Sequence, residues 1–493
     1  MRTPSIPDSD TDVPEEGLDP KDWSWFRALA HLMMDDALDY QATVRERPAW
    51  RPVPASVRAR FDESVPRVGE GEAATYRAYQ ELIAPYPLGN IHPRFWGWVV
   101  GTGTPFGMLA ELLTATMNVN APGFEQASTY TELQLLNWLK NMMGFPLQAS
   151  GILVSGGSIA NLVGLNVARS AMTPFAVRQV GLSEQPRLMV YASTETHNSV
   201  QRAVELMGLG AESLARIAVT DDYRMDIGAL KARMTVDRKA GRLPLCVVAN
   251  AGTVNTGATD DLDALADFCR DEKLWLHVDG TFGAFAVLDP ARRALVRGIE
   301  RADSLAFDLH KWMYMPHDVG CILVRAGAAH KAAFAVQASY LSELDGGVAK
   351  VSTVFSDYGP QLSRGFRALK VWMNLKAYGV DKFSRLIAQN VRQAEYLAAR
   401  VRETRQLELL APVPLNIVNF RYRAPNLDNA ALNNLNARIL VAIQERGIAV
   451  PSSTLLRECF AIRVAITNHR SRREDFDALL TAVISIGDEF TSH

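Results

Sequence analysis

Several features that would place this sequence in a specialised class are scarce or missing. The 493 residues include four cysteines, Cys246, Cys269, Cys321 and Cys459, which lie too far apart for a zinc site or a redox pair. No uninterrupted run of about eighteen apolar residues is present, and the acidic, proline-rich residues 1–16 contain no apolar signal-peptide core. We therefore expect reduced thiols, no metal site, no membrane association and a cytoplasmic location.

The sequence also lacks an excess of charge of either sign. Its 52 basic and 54 acidic residues give a formal net charge of -2, which argues against a nucleic-acid-binding surface. The hydrophobic fraction of 48% and the charged fraction of 22% are typical of a globular protein with a sizeable core. A small molecule is therefore the expected partner.

The sequence pattern divides the chain into three regions. Residues 1–85 form a predicted N-terminal helical extension, residues 86–382 a large domain, and residues 383–493 a small C-terminal α+β domain. Strand patterns at Ile417–Tyr422 and Phe460–Ala465 support the assignment of the third region.

The large domain alternates helical patterns with seven short apolar runs, at Ile152–Ser155, Leu188–Ala192, Ala215–Val219, Leu245–Asn250, Leu274–Asp279, Ser304–Phe307 and Cys321–Val324. This alternation predicts an α/β fold with a mainly parallel seven-stranded sheet that is covered on both faces. Ligands bind beyond the carboxyl ends of such strands, so polar residues at those ends are the candidates for a functional site.

Two predicted strands end in titratable residues. One runs directly into His310-Lys311, where a desolvated lysine amine can form a Schiff base, although a lone lysine is more often a surface residue. Another ends in His277-Val-Asp279, and the two-residue period of a strand places His277 and Asp279 on one side. Asp279 can keep the ring nitrogen of pyridoxal phosphate protonated, or it can cap the following loop.

Two further motifs follow strands in the same sheet. Gly157-Ser158 opens a helical pattern, where a helix N-terminus next to glycine favours phosphate, although the lysine of a nucleotide-binding loop is missing. His197 lies after the second strand, where an imidazole can stack on a ring or cap a helix. Because four motifs follow strands of one predicted sheet, we expect them to form one site.

These motifs resemble the group II pyridoxal-phosphate-dependent decarboxylases. The resemblance covers about His92–Tyr378 and rests on Thr131–Leu133, Ser155–Asn161, His197–Ser199, Gly252–Thr253, Asp260–Leu262, His277–Asp279, Ser304–Trp312 and Ser363–Trp372. It implies the aspartate-aminotransferase-like fold type I, pyridoxal 5'-phosphate as cofactor, and decarboxylation of an L-amino acid to an amine. It also implies a homodimer with the active site at the subunit interface, to which the N-terminal extension contributes.

The resemblance assigns roles to individual residues of this chain. Lys311 is expected to bond the cofactor covalently, Asp279 to hold the ring nitrogen and His197 to stack on the ring. Relatives often carry Asn at the position of Asp308 and Ala at that of Thr281. The phosphate contact at Asp308 and the packing behind the ring at Thr281 are therefore expected to differ. The resemblance also implies that Gly157, Ser158 and Ser304 hold the phosphate. Thr253 is expected to lie near the ring, and His310 near the substrate carboxylate.

The substrate pocket of the family falls on a stretch that includes Trp96 and Trp98 in this chain. Two indoles there favour an aromatic substrate, although such rings also serve in core packing. Asn120 falls where a partner subunit's pocket residues are expected and is more polar than an aromatic site needs. A polar or cationic amino acid is therefore the alternative substrate.

The segment Leu344–Ser363 corresponds to a loop whose tyrosine is thought to protonate the product carbon in animal aromatic decarboxylases. A gap-free alignment places Phe355 there, which resembles the plant aldehyde synthases, whereas a shifted register places Tyr358 there. We expect amine as the main product. The alternatives are an aldehyde synthase, a carbon–carbon lyase, for which no basic pocket is evident, and a non-catalytic partner subunit.

Overall fold

The computed structural model describes residues 16–336, 346–350 and 353–492. Within these residues the helices are α1 (Trp23–Ala42), α2 (Ala55–Ala59), α3 (Glu72–Leu82), α4 (Pro105–Met117), α5 (Ala127–Met143), α6 (Gly157–Met172), α7 (Val177–Val180), α8 (Asn198–Leu206), α9 (Ile227–Lys239), α10 (Leu262–Glu272), α11 (Gly327–Phe334), α12 (Ala368–Tyr378), α13 (Val380–Glu403), α14 (Asn429–Glu445) and α15 (Arg473–Thr491). The strands are β1 (Phe95–Trp96), β2 (Ser150–Val154), β3 (Leu188–Ser193), β4 (Leu214–Ile217), β5 (Leu243–Asn250), β6 (Trp275–Asp279), β7 (Ser304–Asp308), β8 (Gly320–Val324), β9 (Leu407–Leu409), β10 (Ile417–Tyr422), β11 (Val450–Leu456) and β12 (Cys459–Ala465).

The larger sheet has seven strands in the order β2-β8-β7-β6-β5-β3-β4. The pairs from β7 to β4 are parallel, whereas β8 is antiparallel to both of its neighbours, β2 and β7. Every residue of β6, β7 and β8 is buried, because helices cover both faces, and this is why these strands are continuous apolar runs in the sequence. The predicted α/β fold with a mainly parallel seven-stranded sheet is confirmed.

The smaller sheet has five strands in the order β1-β11-β12-β10-β9, and β1 pairs in parallel with β11 while the remaining pairs are antiparallel. The two strands predicted in the C-terminal region are β10 and β12. The sequence pattern did not predict that β1, from the beginning of the predicted large domain, joins this sheet. A two-residue strand carries too short a pattern to be read, and the division at residues 86 and 383 stays a prediction.

A buried ion pair connects two of the motifs on which the resemblance rests. Arg364 Nη2 lies 2.6 Å from Glu132 Oε1, and both side chains are 1% exposed. Arg364 also donates to the carbonyl of Leu153 over 2.8 Å, and Glu132 accepts the N–H of Leu153 over 3.1 Å. The pair therefore fixes α5 and the segment before α12 to strand β2, next to the start of α6.

Helix α1 contributes little to the core of its own chain. Asp22 caps it by accepting the N–H groups of Ser24 and Trp25, and none of its residues is buried. Several of its large apolar side chains are exposed, including Trp23, Trp25, Leu32, Met33 and Leu38.

Over residues 16–336, 346–350 and 353–492, no helix is both long enough and apolar enough to cross a membrane.

Candidate active site

A cavity of about 270 Å³ lies beyond the carboxyl ends of β5 and β6, between the two sheets. It brings together three residues that the sequence placed after three different strands, namely His197, Asp279 and Lys311. The smaller sheet supplies the opposite wall. The lining residues are Trp98, Val99, His197, Asn250, Gly252, Val254, Asn255, Asp279, Thr281, Phe282, Lys311, Ser453 and Arg463.

Lys311 lies just beyond the end of β7 and forms an ion pair. Its Nζ is 2.9 Å from Asp308 Oδ2. The Asp308 carboxylate is 2% exposed, and its other oxygen, Oδ1, receives no hydrogen bond from the residues that the structure describes. The amine is thus held at one end of the cavity by a buried carboxylate.

Asp279 ends strand β6, and its carboxylate accepts three hydrogen bonds. Asn161 Nδ2 donates to Oδ2 over 2.9 Å, and the Thr281 N–H and Oγ1 donate to Oδ1 over 3.2 and 2.7 Å. His277 lies two residues earlier on the same side of the strand, and its Nε2 is 2.9 Å from Oδ1 of the same Asn161. Asp279 is 4% exposed, and the three donors stabilise a negative charge on its carboxylate in this buried position.

His197 lines the cavity from the N-terminus of α8, where it serves as the cap residue. Its Nδ1 accepts the N–H of Ser199 over 3.1 Å and lies 2.8 Å from Ser199 Oγ. Because Nδ1 accepts a backbone N–H, the ring proton is on Nε2 in the neutral form. Burial lowers the pKa of His197 below its usual value, partly offset by Asp279, so the neutral ring prevails near pH 7.

The glycine turn at the start of α6 approaches the cavity through Thr281. A Cβ on Gly157 would lie 2.3 Å from Thr281 Cγ2 and 3.0 Å from Asp308 Oδ2, so a larger residue does not fit. Ser158, the next residue, is exposed. The first N–H groups of a helix have no partner within the helix, and they form an anion site. Both residues lie at the predicted phosphate seat, and their contact with the phosphate stays a prediction.

Ser304 does not lie at this seat, so the prediction that it contacts the phosphate is wrong. It begins strand β7, at the end opposite to Lys311, and it is fully buried. Its Oγ accepts Trp275 Nε1–H over 2.8 Å and lies 2.8 Å from His277 Nδ1. The motif was matched correctly to a strand, but the two ends of that strand face different environments.

His310 and Thr253 do not line the cavity, and their predicted contacts with cofactor and substrate stay predictions. The His310 ring approaches Gly156 at the phosphate seat rather than lining the cavity, and its Nε2 is 3.6 Å from Asp308 Oδ2. Burial lowers the pKa of His310 to about 4. Thr253 lies between two cavity-lining residues, but its hydroxyl is buried against Thr256 Oγ1 at 3.0 Å.

The two predicted pocket tryptophans lie in different places. Trp98 lines the cavity and is 53% exposed. Trp96 is 1% exposed in the core of the smaller sheet, where it stacks on Phe476 with ring centroids 4.9 Å apart and donates to Ser471. The prediction that Trp96 lines the pocket is wrong, because β1 ends at Trp96 and the backbone turns at Trp98, where φ is 51°, so the two indoles do not share one side of a strand.

Asn120 does not line the cavity of its own chain. Its Oδ1 accepts the N–H of Arg364 over 3.0 Å. Its predicted position in the pocket of a partner subunit stays a prediction.

The aromatic residues of the predicted loop are packed into the protein. Phe355 is 1% exposed, with the Arg364 guanidinium 4.9 Å from its ring centre. Tyr358 packs edge-on against His330, which also contacts the Tyr358 carbonyl at 2.8 Å. Leu344–Asp345 and Val351–Ser352 of this segment lie outside the described residues. Neither ring lines the cavity of its own chain, and whether Phe355 or Tyr358 occupies the proton-donating position stays a prediction.

Sequence reasoning missed the residues that the smaller sheet supplies. Arg463 on β12 is 3% exposed and donates to the Trp98 carbonyl over 2.9 Å and to the Val254 carbonyl. Burial lowers its pKa to about 10. Ser453 on β11 and Asn255 complete this wall. An arginine within the apolar run Phe460–Ala465 was the available signal.

Comparison with known proteins identifies the family. Residues 54–423 match the pyridoxal-dependent decarboxylase conserved domain. The chain belongs to the pyridoxal-dependent decarboxylases.

Individual members of this decarboxylase family match along nearly the whole chain. An aromatic-L-amino-acid decarboxylase of Bacillus atrophaeus is 34% identical, over 94% of this chain and 95% of its own. A phenylacetaldehyde synthase of a Rosa hybrid cultivar is 27% identical, over 92% and 91%. The crystal structure of Oryza sativa TDC with PLP and tryptamine superposes with a TM-score of 0.89 at 25% identity, over 96% and 100%. The fold is therefore that of the pyridoxal-phosphate enzymes of fold type I, as predicted.

The cofactor of this decarboxylase is pyridoxal 5'-phosphate, and the site fits it chemically. The cavity offers an amine on Lys311, a carboxylate on Asp279 and an imidazole on His197, and a glycine turn at a helix N-terminus adjoins it. The buried Asp308 Oδ1, to which no described residue donates, lies next to that turn, 3.7 Å from a Cβ built on Gly156, and as a carboxylate oxygen it does not favour a phosphate there.

Proposed function

We propose that this amino-acid decarboxylase converts an aromatic L-amino acid to the corresponding amine and CO₂. The observation that carries the proposal is the meeting of Lys311, Asp279 and His197 in one cavity that is also lined by Trp98, Val99, Val254 and Phe282. The similarity to an aromatic-L-amino-acid decarboxylase supports the same substrate class.

Each of the three residues has a distinct task in this proposal. Bound pyridoxal phosphate supplies an electron sink for the pair of electrons that remains when CO₂ departs. Lys311 would hold the cofactor covalently through its amine. Asp279, with three hydrogen bonds to its carboxylate, would hold the proton of the ring nitrogen. His197, whose Nδ1 accepts the Ser199 N–H, would present its ring to the cofactor.

Four apolar residues of the cavity lining support the proposed aromatic substrate. Trp98, Val99, Val254 and Phe282 provide the apolar surface that an aromatic side chain needs. Arg463 provides a buried positive charge that attracts a substrate carboxylate into the cavity. A cationic substrate would meet this charge unfavourably, so we favour an aromatic amino acid over a cationic one.

Amine is the proposed product because the aromatic-L-amino-acid decarboxylase is more similar to this chain than the phenylacetaldehyde synthase is, at 34% against 27% identity. The reason to consider aldehyde synthase chemistry was Phe355, and its ring lies in the core under Arg364. In this arrangement the ring of Phe355 does not reach the cavity of its own chain. Tyr358 and His310 remain candidate proton donors if the loop or a partner subunit brings them to the substrate.

A homodimer in the cytoplasm is the proposed working state. Five large apolar side chains of α1 are between 41% and 62% exposed, and such a surface is typical of a protein–protein interface. We propose that α1 packs against a second copy of the chain, with the cavity near that interface. The cysteines Cys246, Cys269, Cys321 and Cys459 are free thiols, which agrees with a reducing compartment.

The decisive experiment is a product analysis with the reconstituted protein. It is incubated in air with tryptophan, tyrosine, phenylalanine, histidine and glutamate, and CO₂, amine, aldehyde and peroxide are measured. We expect amine and CO₂ in equal amounts from an aromatic amino acid. Aldehyde with peroxide as the main product, changed to amine in Phe355→Tyr, would contradict the proposal, and turnover of glutamate alone would overturn the substrate class.

A further inference from the structure

Asp279 is connected to a row of buried polar side chains that leads away from the cavity. Asn161 Nδ2 donates to Asp279 Oδ2 over 2.9 Å, and Asn161 Oδ1 lies 2.9 Å from His277 Nε2. His277 Nδ1 lies 2.8 Å from Ser304 Oγ, to which Trp275 Nε1 donates over 2.8 Å. We call these five residues the buried chain. Each of them is at most 5% exposed.

The two ends of the buried chain determine the direction of every hydrogen bond in it. A carboxylate only accepts, so the NH₂ group of Asn161 faces Asp279 and its oxygen faces His277. His277 Nε2 therefore carries a proton. Burial lowers the pKa of His277 to about 4, so the ring is neutral near pH 7 and its Nδ1 accepts. The Ser304 hydroxyl then donates to His277 and accepts from Trp275, whose indole only donates.

The amide of Asn161 also reaches the second residue that faces the cofactor. Asn161 Nδ2 donates to Ser199 Oγ over 3.0 Å, and Ser199 Oγ lies 2.8 Å from His197 Nδ1. Since Nδ1 accepts the Ser199 N–H, the Ser199 hydroxyl donates to the same nitrogen. One side-chain amide thus holds both Asp279 and His197.

We propose that Asn161 is a positioning residue for the decarboxylation, and that His277, Ser304 and Trp275 fix the direction in which its amide faces. In this direction a donor meets Asp279, so its negative charge is retained for the cofactor ring nitrogen. In the opposite direction an amide oxygen would face the carboxylate and repel it. The inference deepens the proposed function and rests on the role of Asp279 in it.

The first test needs neither cofactor nor substrate. In the cofactor-free protein with ¹⁵N-labelled histidine, the two ring-nitrogen signals of His277 are assigned by comparison with His277→Gln. We expect a neutral ring with the proton on Nε2 at pH 7. A proton on Nδ1, or a charged ring, would overturn the proposal.

The second test reads the ring nitrogen of the bound cofactor. The protein is loaded with pyridoxal phosphate that carries ¹⁵N in the ring, and wild type is compared with Trp275→Phe and Ser304→Ala. We expect the signal to move towards that of the unprotonated ring in both variants. Trp96→Phe is the matched control, because Trp96 also donates to a buried serine but lies outside the site. Signals unchanged from wild type in both chain variants would overturn the proposal.

The third test separates positioning from general stability. In Asn161→Asp a second carboxyl group lies against Asp279 at the same size, so we expect kcat to fall by about a hundredfold with KM within about threefold. Asn374→Asp is the control, because Asn374 is equally buried and bonds Thr104 and Lys370 instead. Equal losses in both variants would overturn the proposal. The two spectroscopic tests need no turnover, so they stand even if the proposed substrate class is wrong.

Discussion

The two carboxylates of the site, Asp279 and Asp308, are equally buried but differ in their hydrogen bonds. Asp279 is 4% exposed and accepts from three donors. Asp308 is 2% exposed, pairs with Lys311 through Oδ2 and receives no donor at Oδ1 from any described residue. A buried acceptor without a partner costs about 1–3 kcal/mol. The two ends of the site therefore differ. At the ring-nitrogen end, the protein supplies donors to both oxygens of Asp279, whereas at the phosphate end one oxygen of Asp308 has no donor among the described residues.

One helix serves both ends. Gly157, the first residue of α6, adjoins Asp308, and Asn161, four residues later on the same face, bonds Asp279. A shift of α6 at the phosphate end therefore changes the position of Asn161. The comparison teaches that binding at the Asp308 end is linked through α6 to the Asp279 end, and four experiments test it.

The largest expected effect is that of Lys311→Ala, which removes the amine paired with Asp308. We expect borohydride to fix no cofactor to the protein and kcat to fall by about 10⁴-fold or more. The measurement is mass spectrometry of the reduced protein together with steady-state kinetics. Lys370→Ala is the control, since Lys370 is a buried lysine paired with Glu111 away from the cavity. Cofactor attached to another lysine in the wild type would contradict the assignment.

Asp279→Asn is expected to have the next largest effect, at the ring-nitrogen end. The amide keeps the size but loses the charge that holds the ring proton, so kcat should fall by about 10³-fold. Cofactor affinity, measured by equilibrium dialysis, should change by less than about fivefold, because the phosphate seat is intact. A loss of affinity as large as the loss of kcat would show that Asp279 serves binding rather than chemistry.

Lowering the pH should destabilise the folded protein through one buried histidine at each end of the site. Burial lowers the pKa of His277 and of His310 to about 4, below the usual value of about 6.5. The unfolded chain binds protons more readily, so this stabilisation is complete above pH 6.5 and is lost as the pH falls towards 4. Each neutral histidine should account for about 2 kcal/mol of unfolding free energy lost between pH 7 and 5. Urea unfolding of the cofactor-free protein at both pH values, with His310→Gln as the variant whose pH dependence is weaker, measures this.

Asp308→Asn is expected to have the smallest effect and the opposite sign. The variant removes a negative charge beside the phosphate seat and releases Lys311 from its ion pair, so cofactor affinity should rise by about tenfold. Equilibrium dialysis with pyridoxal phosphate measures the change. Asp357→Asn, which removes a carboxylate paired with Lys331 outside the cavity, is the control. Weaker cofactor binding in Asp308→Asn would show that the Asp308 carboxylate stabilises the bound cofactor, which contradicts the difference between the two ends.

Much of this arrangement follows from local sequence pattern. The runs that became β3, β5, β6, β7 and β8 were predicted within a few residues, because strands covered on both faces are apolar without interruption. Lys311, Asp279 and His197 were predicted together because each follows a strand, and parallel strands end at one edge. His277 and Asp279 were placed on one side by the two-residue period of a strand, and both contact Asn161.

The wrong predictions concern residues whose surroundings depend on which end of a strand they occupy, or on which other element packs against them. Ser304 and Lys311 belong to one motif, but they lie at opposite ends of β7, so one is part of the buried chain and the other lines the cavity. Trp96 was placed in the substrate pocket, but its ring stacks on Phe476 in the core of the smaller sheet. Sequence spacing does not report which of several neighbours a side chain contacts.

The sequence by itself determined the fold class, the edge of the sheet at which the site forms and the chemical groups after the strands, because alternation and strand ends are local properties of the chain. Only the tertiary structure decided which distant residues complete the site. Arg463 and Ser453 reach the cavity through the smaller sheet, and Asn161 meets Asp279 across 118 positions of sequence. Such contacts depend on how two sheets and a helix pack, and packing is a property of the whole chain rather than of any segment.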